Sequence, residues 1–441
     1  MTRLRTLAWA AVIAAAVGAP EARALTFLQA MTGDEAAPVD ARSAAMGRSH
    51  GATGFVGVTA SINPALLARA RVLEITASGN VHRMQETRSI PAYDSFDAYL
   101  VESIYALNHM SSSDISFGVA GSPDGDDFGS RVGLGVTHAP IWDFRYDYTE
   151  QIRDPNAFTQ PRDDLLGLND IQSDGRIAAT SLGAALQVFH WLDLGVALDV
   201  ARGRQQLLTR EWFVQIDSTS VGTAEISELS GTRWTLGAAF HPHPSVSFAA
   251  HWRSDLELGG DFRFSDPDGR FAWIGDVTAN AAADSGIVEI RYPQELGAGV
   301  TFRPRAKVLT TFQADFTWRQ WSRYAHSLFE DPLLKDAWDA RVGVEHVFYN
   351  GVPLRFGFRY APSPQDDEVT TTAFSFGSGL VRGNTRVDLG FEVANRQYRA
   401  TDVFDDAAFG GASRPVDYDL VEETATGVFL SVSWATDSLG G

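Results

Sequence analysis

The feature that most constrains this chain is a strict alternation of apolar and polar residues, repeated in many separate segments. In residues 191–201, leucine or valine occupies every second position from 192 to 200, and aspartate, glycine or alanine lies between them. A period of two over ten residues is typical of a β-strand whose two faces meet different surroundings. The same pattern recurs in residues 244–264, 306–321, 352–362 and 384–399. The sequence therefore predicts an all-β protein.

Alternation alone also fits a soluble β-sandwich, so the content of the two faces has to decide between the classes. The polar face carries charges and glycines in the middle of long strands, which is expected of a barrel lumen. The apolar face is rich in aromatic residues, as the interfacial girdles of membrane barrels require. The residues assigned to this girdle are Trp191, Trp234, Trp252, Trp318, Tyr360 and Trp434. In residues 244–264 the apolar face is predicted to contain Val246, Phe248, Ala250, Trp252, Leu256 and Leu258.

The lengths of the connections give the architecture. Strands are predicted at 71–84, 97–108, 114–138, 174–189, 191–212, 231–241, 244–264, 286–303, 306–321, 337–349, 352–362, 372–381, 384–399 and 425–435. Tight turns are predicted at 189–191, 241–245, 303–305, 349–352 and 381–384. Long loops are predicted at 139–173, 213–230, 265–285, 322–336 and 400–424. Short turns on one side and long loops on the other indicate a transmembrane antiparallel β-barrel of about 14 strands.

Composition narrows the remaining classes. Residues 1–24 combine a basic start, a short apolar run and an Ala-Arg-Ala end, so they are predicted to be a cleaved signal peptide. The apolar run is too short for a membrane-spanning helix, and the rest of the sequence contains no apolar run of greater length. The chain has no cysteine, which excludes a disulfide scaffold. Its net charge of −19 makes nucleic acid an improbable partner.

Residues 25–70 precede the first predicted strand and contain no strand pattern. A ring of fourteen strands is wider than side chains alone can fill. These residues are therefore predicted to form an N-terminal hatch inside the lumen of a barrel built from residues 71–441. Glycines in the hatch would let its backbone approach the wall closely. The candidate hatch and ligand residues are Met46, Gly47, His50, Gly51, Phe55, Val56, Asn63 and Pro64.

Three stretches of the chain resemble one known family. Ala41 to Ala68 is similar to a small-residue hatch that ends in Asn-Pro-Ala, and Tyr292 to Tyr324 and Asp336 to Pro364 are similar to two later hairpins. The family is the FadL-type outer-membrane transporters of long-chain fatty acids and aromatic hydrocarbons. The resemblance implies passive transport of a hydrophobic small molecule across the outer membrane of a Gram-negative-type bacterium, without a cofactor. It also implies contact with outer-membrane lipid and insertion by the barrel-assembly machinery.

A cluster of turn-forming residues, "GSPDGDDFGS", covers residues 121–130 and is predicted to lie within the third strand. Proline removes a ladder hydrogen bond, and glycine suits a bulge or kink. By resemblance to the family, this cluster is a candidate lateral gate that lets substrate leave through the wall. The gate residues are Pro123, Asp124, Gly125 and Gly129. An ordinary turn that splits the strand is an equal alternative, and turn chemistry explains the aspartates more simply than a calcium site does.

Charged residues are frequent on the predicted lumen face. They include Arg253, Asp315, Arg319, Arg355 and Arg359. Mixed signs on adjoining strands predict cross-strand ion pairs that brace a polar interior. One arginine near the hatch could bind a ligand carboxylate with two hydrogen bonds, but the sequence does not identify it.

No motif indicates an enzyme or a metal centre. The two histidines of "HPHP" (residues 241–244) lack the further ligands that a zinc site requires, and neither a nucleophile elbow nor a zinc-protease motif is present. The alternative function is a FadL-like scaffold for protein secretion, similar to the type IX shuttle. A general diffusion porin is disfavoured because the hatch would obstruct it. A continuous apolar tunnel would favour transport, and a polar seal would favour secretion.

Overall fold

The structure is a computed structural model. It describes residues 25–36, 40–52, 56–70, 73–93, 96, 98–122, 132–153, 164–271, 284–304, 309–329, 332–401 and 418–436.

The described residues form fourteen barrel strands, numbered β1 to β14 in chain order. Their bounds are Glu74–Tyr93, Tyr99–Gly121, Val132–Asp143 with Tyr146–Arg153, Leu165–Phe189, Leu192–Phe213, Ser218–His243, Val246–Arg253 with Leu256–Ser265, Ser285–Tyr292 with Glu295–Phe302, Leu309–Arg319, Ala337–Val347, Pro353–Pro362, Thr370–Arg382, Thr385–Thr401 and Tyr418–Ala435. The strands β3, β7 and β8 each consist of two segments. Two-residue strands at Asp34–Glu35 and Ala325–His326 also join the sheet.

Each strand pairs with its neighbour in the chain in antiparallel orientation, and β14 pairs with β1. The closing ladder runs from Leu420 opposite Ser89 to Ala435 opposite Glu74. Closure removes both sheet edges, which is how a barrel satisfies its backbone hydrogen bonds in lipid. The prediction of a fourteen-stranded antiparallel barrel is confirmed.

The outward faces of the strands are apolar and exposed. Trp234 and Trp434 are 52% and 41% exposed, and they belong to a large set of exposed leucine, valine and phenylalanine side chains. The inward positions alternate with them and are buried, as in Ala197, Asp199 and Ala201 of β5. A surface of this kind is stable only against an apolar solvent such as lipid.

The two ends of the barrel differ. Connections at 190–191, 244–245 and 383–384 lie at one end, which we call the short-turn end. The other end, the long-loop end, carries the connections at 266–284, 320–336 and 402–417. The predicted long loop at 213–230 is wrong. The ladder between β5 and β6 continues to Phe213 opposite Ser218, so only four residues join these strands.

Two strand boundaries also need correction. Residues 109–113 were expected to separate two strands, but β2 runs through them and pairs Ser111 to Ser113 with β1. The cluster at residues 121–130 lies mostly outside the described residues, which resume at Val132. It begins where β2 ends, and β3 begins at Val132. The number of strands is still fourteen. The expected boundary at 109–113 is absent, and a boundary between Gly121 and Val132 takes its place.

The alternation changes phase inside β7. Trp252 points outward and Arg253 inward, yet Leu256 and Leu258 are 0% and 2% exposed and face the lumen. The interruption at residues 254–255 shifts the pleat by one residue. The prediction that Leu256 and Leu258 lie on the lipid face is wrong. Beyond the interruption, apolar residues line the inside of the barrel.

The residues before β1 form short helices. Helix α1 is Leu25–Thr32, helix α2 is Ala41–Ala45, and 3-10 helices follow at Val56–Ser61 and Pro64–Arg69. Two further 3-10 turns, Val214–Ile216 and Trp321–Arg323, lie in connections at the long-loop end. In the part of the chain that the structure describes, no helix combines the length and the hydrophobicity needed to cross a membrane.

Candidate functional site

The interior of the barrel has two zones, and the middle zone is ionic. Arg319 of β9 bonds Glu295 of β8 at 2.7 Å and Asp339 of β10 at 2.8 Å. Arg355 of β11, which is fully buried, bonds Glu345 and Asp388 at 2.6 and 2.7 Å. Pairs of this kind join neighbouring strands across the lumen face. Since these buried charges have opposite partners, they avoid the large cost of isolated charges.

The zone toward the long-loop end is apolar and aromatic. Its members include Tyr148, Leu258, Phe262, Ile290 and Tyr292, all at most 2% exposed. Helix α1 inserts its end into this zone, where Ala30 and Met31 are buried. The carbonyl of Ala30 accepts hydrogen bonds from Gln205 Nε2 at 2.8 Å and Ser173 Oγ at 3.0 Å, and Tyr292 donates to the carbonyl of Thr32 at 2.7 Å. These donors satisfy carbonyls that the helix end leaves free.

Residues 40–52 and 56–70, which we call the inner segment, lie inside the ring. Backbone N–H groups of this segment donate to inward side chains of widely separated strands. Gly47 donates to Ser375 Oγ at 2.7 Å, and Gly51 donates to Asp315 Oδ1 at 3.0 Å. Ion pairs add to these bonds, as in Arg48 with Glu392 at 2.8 Å. A segment that contacts inward groups on opposite sides of a closed ring must occupy its lumen.

Glycines of the wall make room for the inner segment. A Cβ atom on Gly357 would lie 1.8 Å from the backbone nitrogen of Gly47, and one on Gly133 would lie 1.9 Å from the carbonyl oxygen of Leu67. Real Cβ atoms do not approach other atoms so closely, so only glycine fits these positions. Within the segment, Gly47 also has a left-handed φ of 68°. Gly133 and Gly357 are therefore packing sites for the inner segment.

The Asn-Pro pair starts the last 3-10 helix of the inner segment. Asn63 caps it by accepting a hydrogen bond from the Ala65 N–H at 3.1 Å, and Pro64 occupies the first turn. The Asn63 amide also donates to the carbonyl of Ala250 on β7 at 3.1 Å. The Asn63 side chain thus begins this 3-10 helix and also fastens the inner segment to the wall.

Residues 33–36, which we call the strap, link α1 to the inner segment. Asp34 and Glu35 pair with Asp143 and Trp142 of β3, and a hydrogen bond of 3.1 Å joins the Ala36 N–H to the Ile141 carbonyl. The strap separates two cavities of about 250 and 140 Å³. We call them the large cavity and the small cavity.

Glu35 fastens the strap to the ionic zone. Its carboxylate bonds Arg319 at 3.0 Å and lies 3.8 Å from Arg341. Desolvation opposes ionisation of Glu35, but the two guanidiniums outweigh it and hold the pKa well below its usual range. Glu35 therefore stays ionised, and the strap stays anchored, throughout the neutral pH range.

The wall is incomplete between β2 and β3. Five registered pairs, Phe117–Gly121 with Leu134–His138, join these strands near the short-turn end. Beyond them β3 shifts register between Pro140 and Trp142 and is interrupted at residues 144–145. Among the described residues, no further backbone pairing joins β2 to β3 on the long-loop side of these pairs. We call this stretch of the wall the seam.

Side chains take the place of the ladder at the seam. The Thr149 N–H donates to Asn108 Oδ1 at 3.1 Å, and the Asp147 N–H donates to Met110 Sδ at 3.2 Å. Arg145 bonds Asp114 of β2 at 3.0 Å. Side-chain bonds thus join β2 and β3 where backbone ladder bonds are absent among the described residues.

Comparisons with known proteins were made at three levels. No protein-family model matches the sequence, and no curated protein matches it. Among solved structures, a FadL homologue of Pseudomonas aeruginosa matches with a TM-score of 0.65 and 13% identity, over 91% of this chain and 99% of that one. The toluene transporter TodX of P. putida matches with a TM-score of 0.58 and 14% identity, over 91% and 99% of the two chains. The monoaromatic hydrocarbon channel CymD matches with a TM-score of 0.56 and 13% identity, over 91% and 98%.

The chain has the fold of the FadL-type transporters. The resemblance predicted from Ala41 to Ala68 and the two hairpins is confirmed at the level of the fold. By their names, two of these structural neighbours are a transporter and a channel, and the third is a FadL homologue. In the described part of the chain, no cluster of three or more metal-ligating side chains is present.

The structure distributes the candidate site residues of this FadL-type barrel over several places. Met46 is fully buried, His50 and Gly51 lie against Asp315, and Val56 begins a 3-10 helix. Phe55 lies outside the described residues. The gate residues Pro123, Asp124, Gly125 and Gly129 also lie outside them.

The candidate lumen charges face the interior. Arg253 bonds Glu295 at 2.7 Å, while Asp315 accepts from the inner segment and Arg355 is part of a buried pair network. Arg359 lies in the wall of the large cavity, and its buried Nε has no hydrogen-bond partner among the described residues.

Several residues that shape the cavities could not be found from their local sequence. Glu35 and Arg48 lie in a stretch without periodicity, and Trp142 was assigned to a loop. Their importance comes from contacts with residues more than one hundred positions away. Arg48 also has a positive φ of 62°, but this feature is visible only in the structure and not in the sequence.

Proposed function

We propose that this protein lets hydrophobic small molecules, fatty-acid-like or aromatic, cross a bacterial outer membrane without energy input. The molecule enters from the long-loop end, is stopped by the inner segment acting as a hatch, and leaves sideways through the seam. The fold of the FadL homologue and of the toluene transporter TodX supports this class of function. The proposed sideways exit rests on one observation, the incomplete pairing of β2 with β3 at the seam.

The route follows the polarity of the interior. The apolar zone at the long-loop end offers contacts to a molecule leaving the outer surface. The large cavity lies next, and Met110, Arg145 and Tyr146 line it. Met110 and Arg145 also belong to the seam, so the cavity and the incomplete wall adjoin each other. The ionic zone and the inner segment lie between the cavity and the short-turn end.

Sideways exit has a physical advantage for an apolar cargo. Returning 150–250 Å² of aromatic surface to water costs about 4–6 kcal/mol at roughly 25 cal/mol per Å². Release into the bilayer avoids this cost. The candidate gate at Pro123 lies outside the described residues, and the exit is therefore proposed at the seam, where β3 is interrupted between Pro140 and Arg145.

The test is a reversible lock across the seam. The chain has no cysteine, so Leu107→Cys with Thr149→Cys introduces the only thiols, both on the outward face beside the Thr149–Asn108 hydrogen bond. The matched control is Val119→Cys with Val136→Cys, which joins a registered pair of the intact ladder. Cells carrying each double variant are given radiolabelled toluene before and after oxidation.

Oxidation of the seam pair should stop uptake, and reduction should restore it, while the control pair has no effect. Continued uptake with the seam disulfide formed would refute sideways exit. Equal uptake with and without the protein would refute transport altogether. Co-purification of a large exported protein in place of uptake would favour the secretion scaffold.

A further inference from the structure

The small cavity has a chemistry of its own. It lies between the strap, the inner segment and β3, next to the ionic zone. Its apolar wall is formed by Ile62 of the inner segment and by Ala139, Pro140 and Ile141 of β3. Its volume of about 140 Å³ is close to that of an engineered apolar cavity of roughly 150 Å³ that accommodates benzene. The space therefore suits a molecule with a single ring.

Apart from Arg341 Nε, which lies 2.7 Å from Asp339 Oδ1, three buried nitrogen atoms in this wall have no hydrogen-bond partner among the described residues. They are the indole Nε1 of Trp142, Nδ1 of His50 and Nε of Arg253. Trp142 is only 7% exposed. The indole nitrogen can only donate, and Arg253 Nε can only donate as well. Buried donors in proteins are nearly always satisfied, so a group that accepts hydrogen bonds is expected between them.

The charges around the small cavity are balanced. Five arginines line it, and each bonds a carboxylate at 2.7–2.8 Å. They are Arg48, Arg233, Arg253, Arg319 and Arg341. An anion bound here would have to compete with a carboxylate that is already in place. The unsatisfied groups therefore favour an uncharged acceptor, such as a hydroxyl or carbonyl oxygen.

We propose that the small cavity binds a neutral, single-ring molecule that carries one oxygen, with a phenol as the simplest example. The ring lies against Ile62 and Pro140, and the oxygen accepts from Trp142 and its neighbours. The inference rests on the proposed function and narrows its substrate class to oxygen-bearing aromatic compounds. A site with buried donors discriminates strongly against an analogue that lacks the acceptor, because binding it leaves those donors unpaired.

The test compares three probes on the purified full-length barrel in detergent, by titration calorimetry. Phenol carries a neutral oxygen, toluene has a methyl group in its place, and benzoate carries a charge. Phenol should bind at least about tenfold more tightly than toluene or benzoate. Trp142→Phe keeps an aromatic ring and removes one donor, so it should reduce this preference several-fold. Trp434→Phe, on the outward face, is the matched control and should leave the preference unchanged.

Heat-modifiable gel mobility shows whether each variant is folded. If Trp142→Phe does not fold, Arg253→Lys removes another donor of the set and keeps the charge. Equal affinity for phenol and toluene would show that the donors face only water, and would overturn the inference. Tightest binding of benzoate, or an unchanged preference in both donor variants, would also overturn it. If phenol binds but the protein supports no uptake, transport is refuted and the binding site stands. If uptake occurs but phenol is not preferred, the binding site is refuted and transport stands.

Discussion

Gly357→Ala provides the most direct test of the inner segment as a hatch. Gly357 lies on β11 with its Cα facing the lumen, and its φ is not in the left-handed region, so alanine fits the strand backbone. The new Cβ would lie 1.8 Å from the nitrogen of Gly47 and 2.1 Å from the carbonyl carbon of Met46. The substitution therefore acts on the inner segment and leaves the ladder unchanged.

The size of the effect follows from this geometry. Moving Gly47 from 1.8 Å to an ordinary contact of 3.4 Å requires a shift of about 1.6 Å. Such a shift breaks the bond from the Gly47 N–H to Ser375 Oγ. Overpacking and the lost bond together cost about 2–4 kcal/mol of docking free energy. The undocked population should therefore rise roughly 30- to 1,000-fold.

The assay is ion conductance of the purified barrel in planar bilayers. The wild type should conduct little, because the inner segment occupies the lumen, and Gly357→Ala should open frequently to a large conductance. The matched control is Gly259→Ala, because a Cβ there would have no atom within 4 Å. The control should behave like the wild type.

Heat-modifiable mobility on gels establishes that the variant barrel has folded, so that leakage cannot be attributed to damaged strands. A folded Gly357→Ala barrel with wild-type conductance would refute the hatch. Equal conductance increases in both variants would show that any alanine in the wall disturbs the barrel, and would refute the specific contact with Gly47.

Three further predictions concern topology and stability. In this cysteine-free chain, Asp367→Cys should react with a membrane-impermeant maleimide on intact cells, and Asn350→Cys only after permeabilisation; the reverse would invert the barrel. Arg355→Met removes a buried cation from Asp388, which keeps only Arg386 at 4.0 Å, and from Glu345, which keeps Arg42, so the free energy of unfolding in denaturant should fall by about 3–5 kcal/mol. Loss of the exposed pair in Lys335→Met should leave the free energy of unfolding nearly unchanged in the same experiment. Asp40→Ala removes the cap of α2 and should weaken docking of the inner segment by about 1 kcal/mol, giving a smaller conductance increase than Gly357→Ala.

Local sequence was sufficient for the barrel itself. A period of two is a property of neighbouring residues, and turn residues such as those at 349–352 mark where a strand reverses. Both signals can be recognised in the sequence without knowing which strand is the partner. Errors arose where polar residues continue a strand. Residues 109–113 were left between two predicted strands, but the backbone of Ser111 to Ser113 pairs with β1, and ladder bonds from a partner strand override weak local preference.

The position of the inner segment was predictable only in outline. Its glycines and its Asn-Pro pair indicated close packing and a helix start, and both features exist in the structure. The partners were not predictable, because each lies on a distant strand. Gly47 meets Gly357, and Arg48 meets Glu392. Such contacts depend on how the whole ring closes.

The seam and the two cavities were decided by tertiary structure alone. The phase shift that turns Leu256 inward and the interruption of β3 near Phe144 each involve one or two residues, which alternation over a strand does not detect. The three unsatisfied nitrogens of the small cavity lie on three separate parts of the chain. A sequence determines which face of a strand is apolar through its local period, but register between distant strands determines which side chains meet across the lumen.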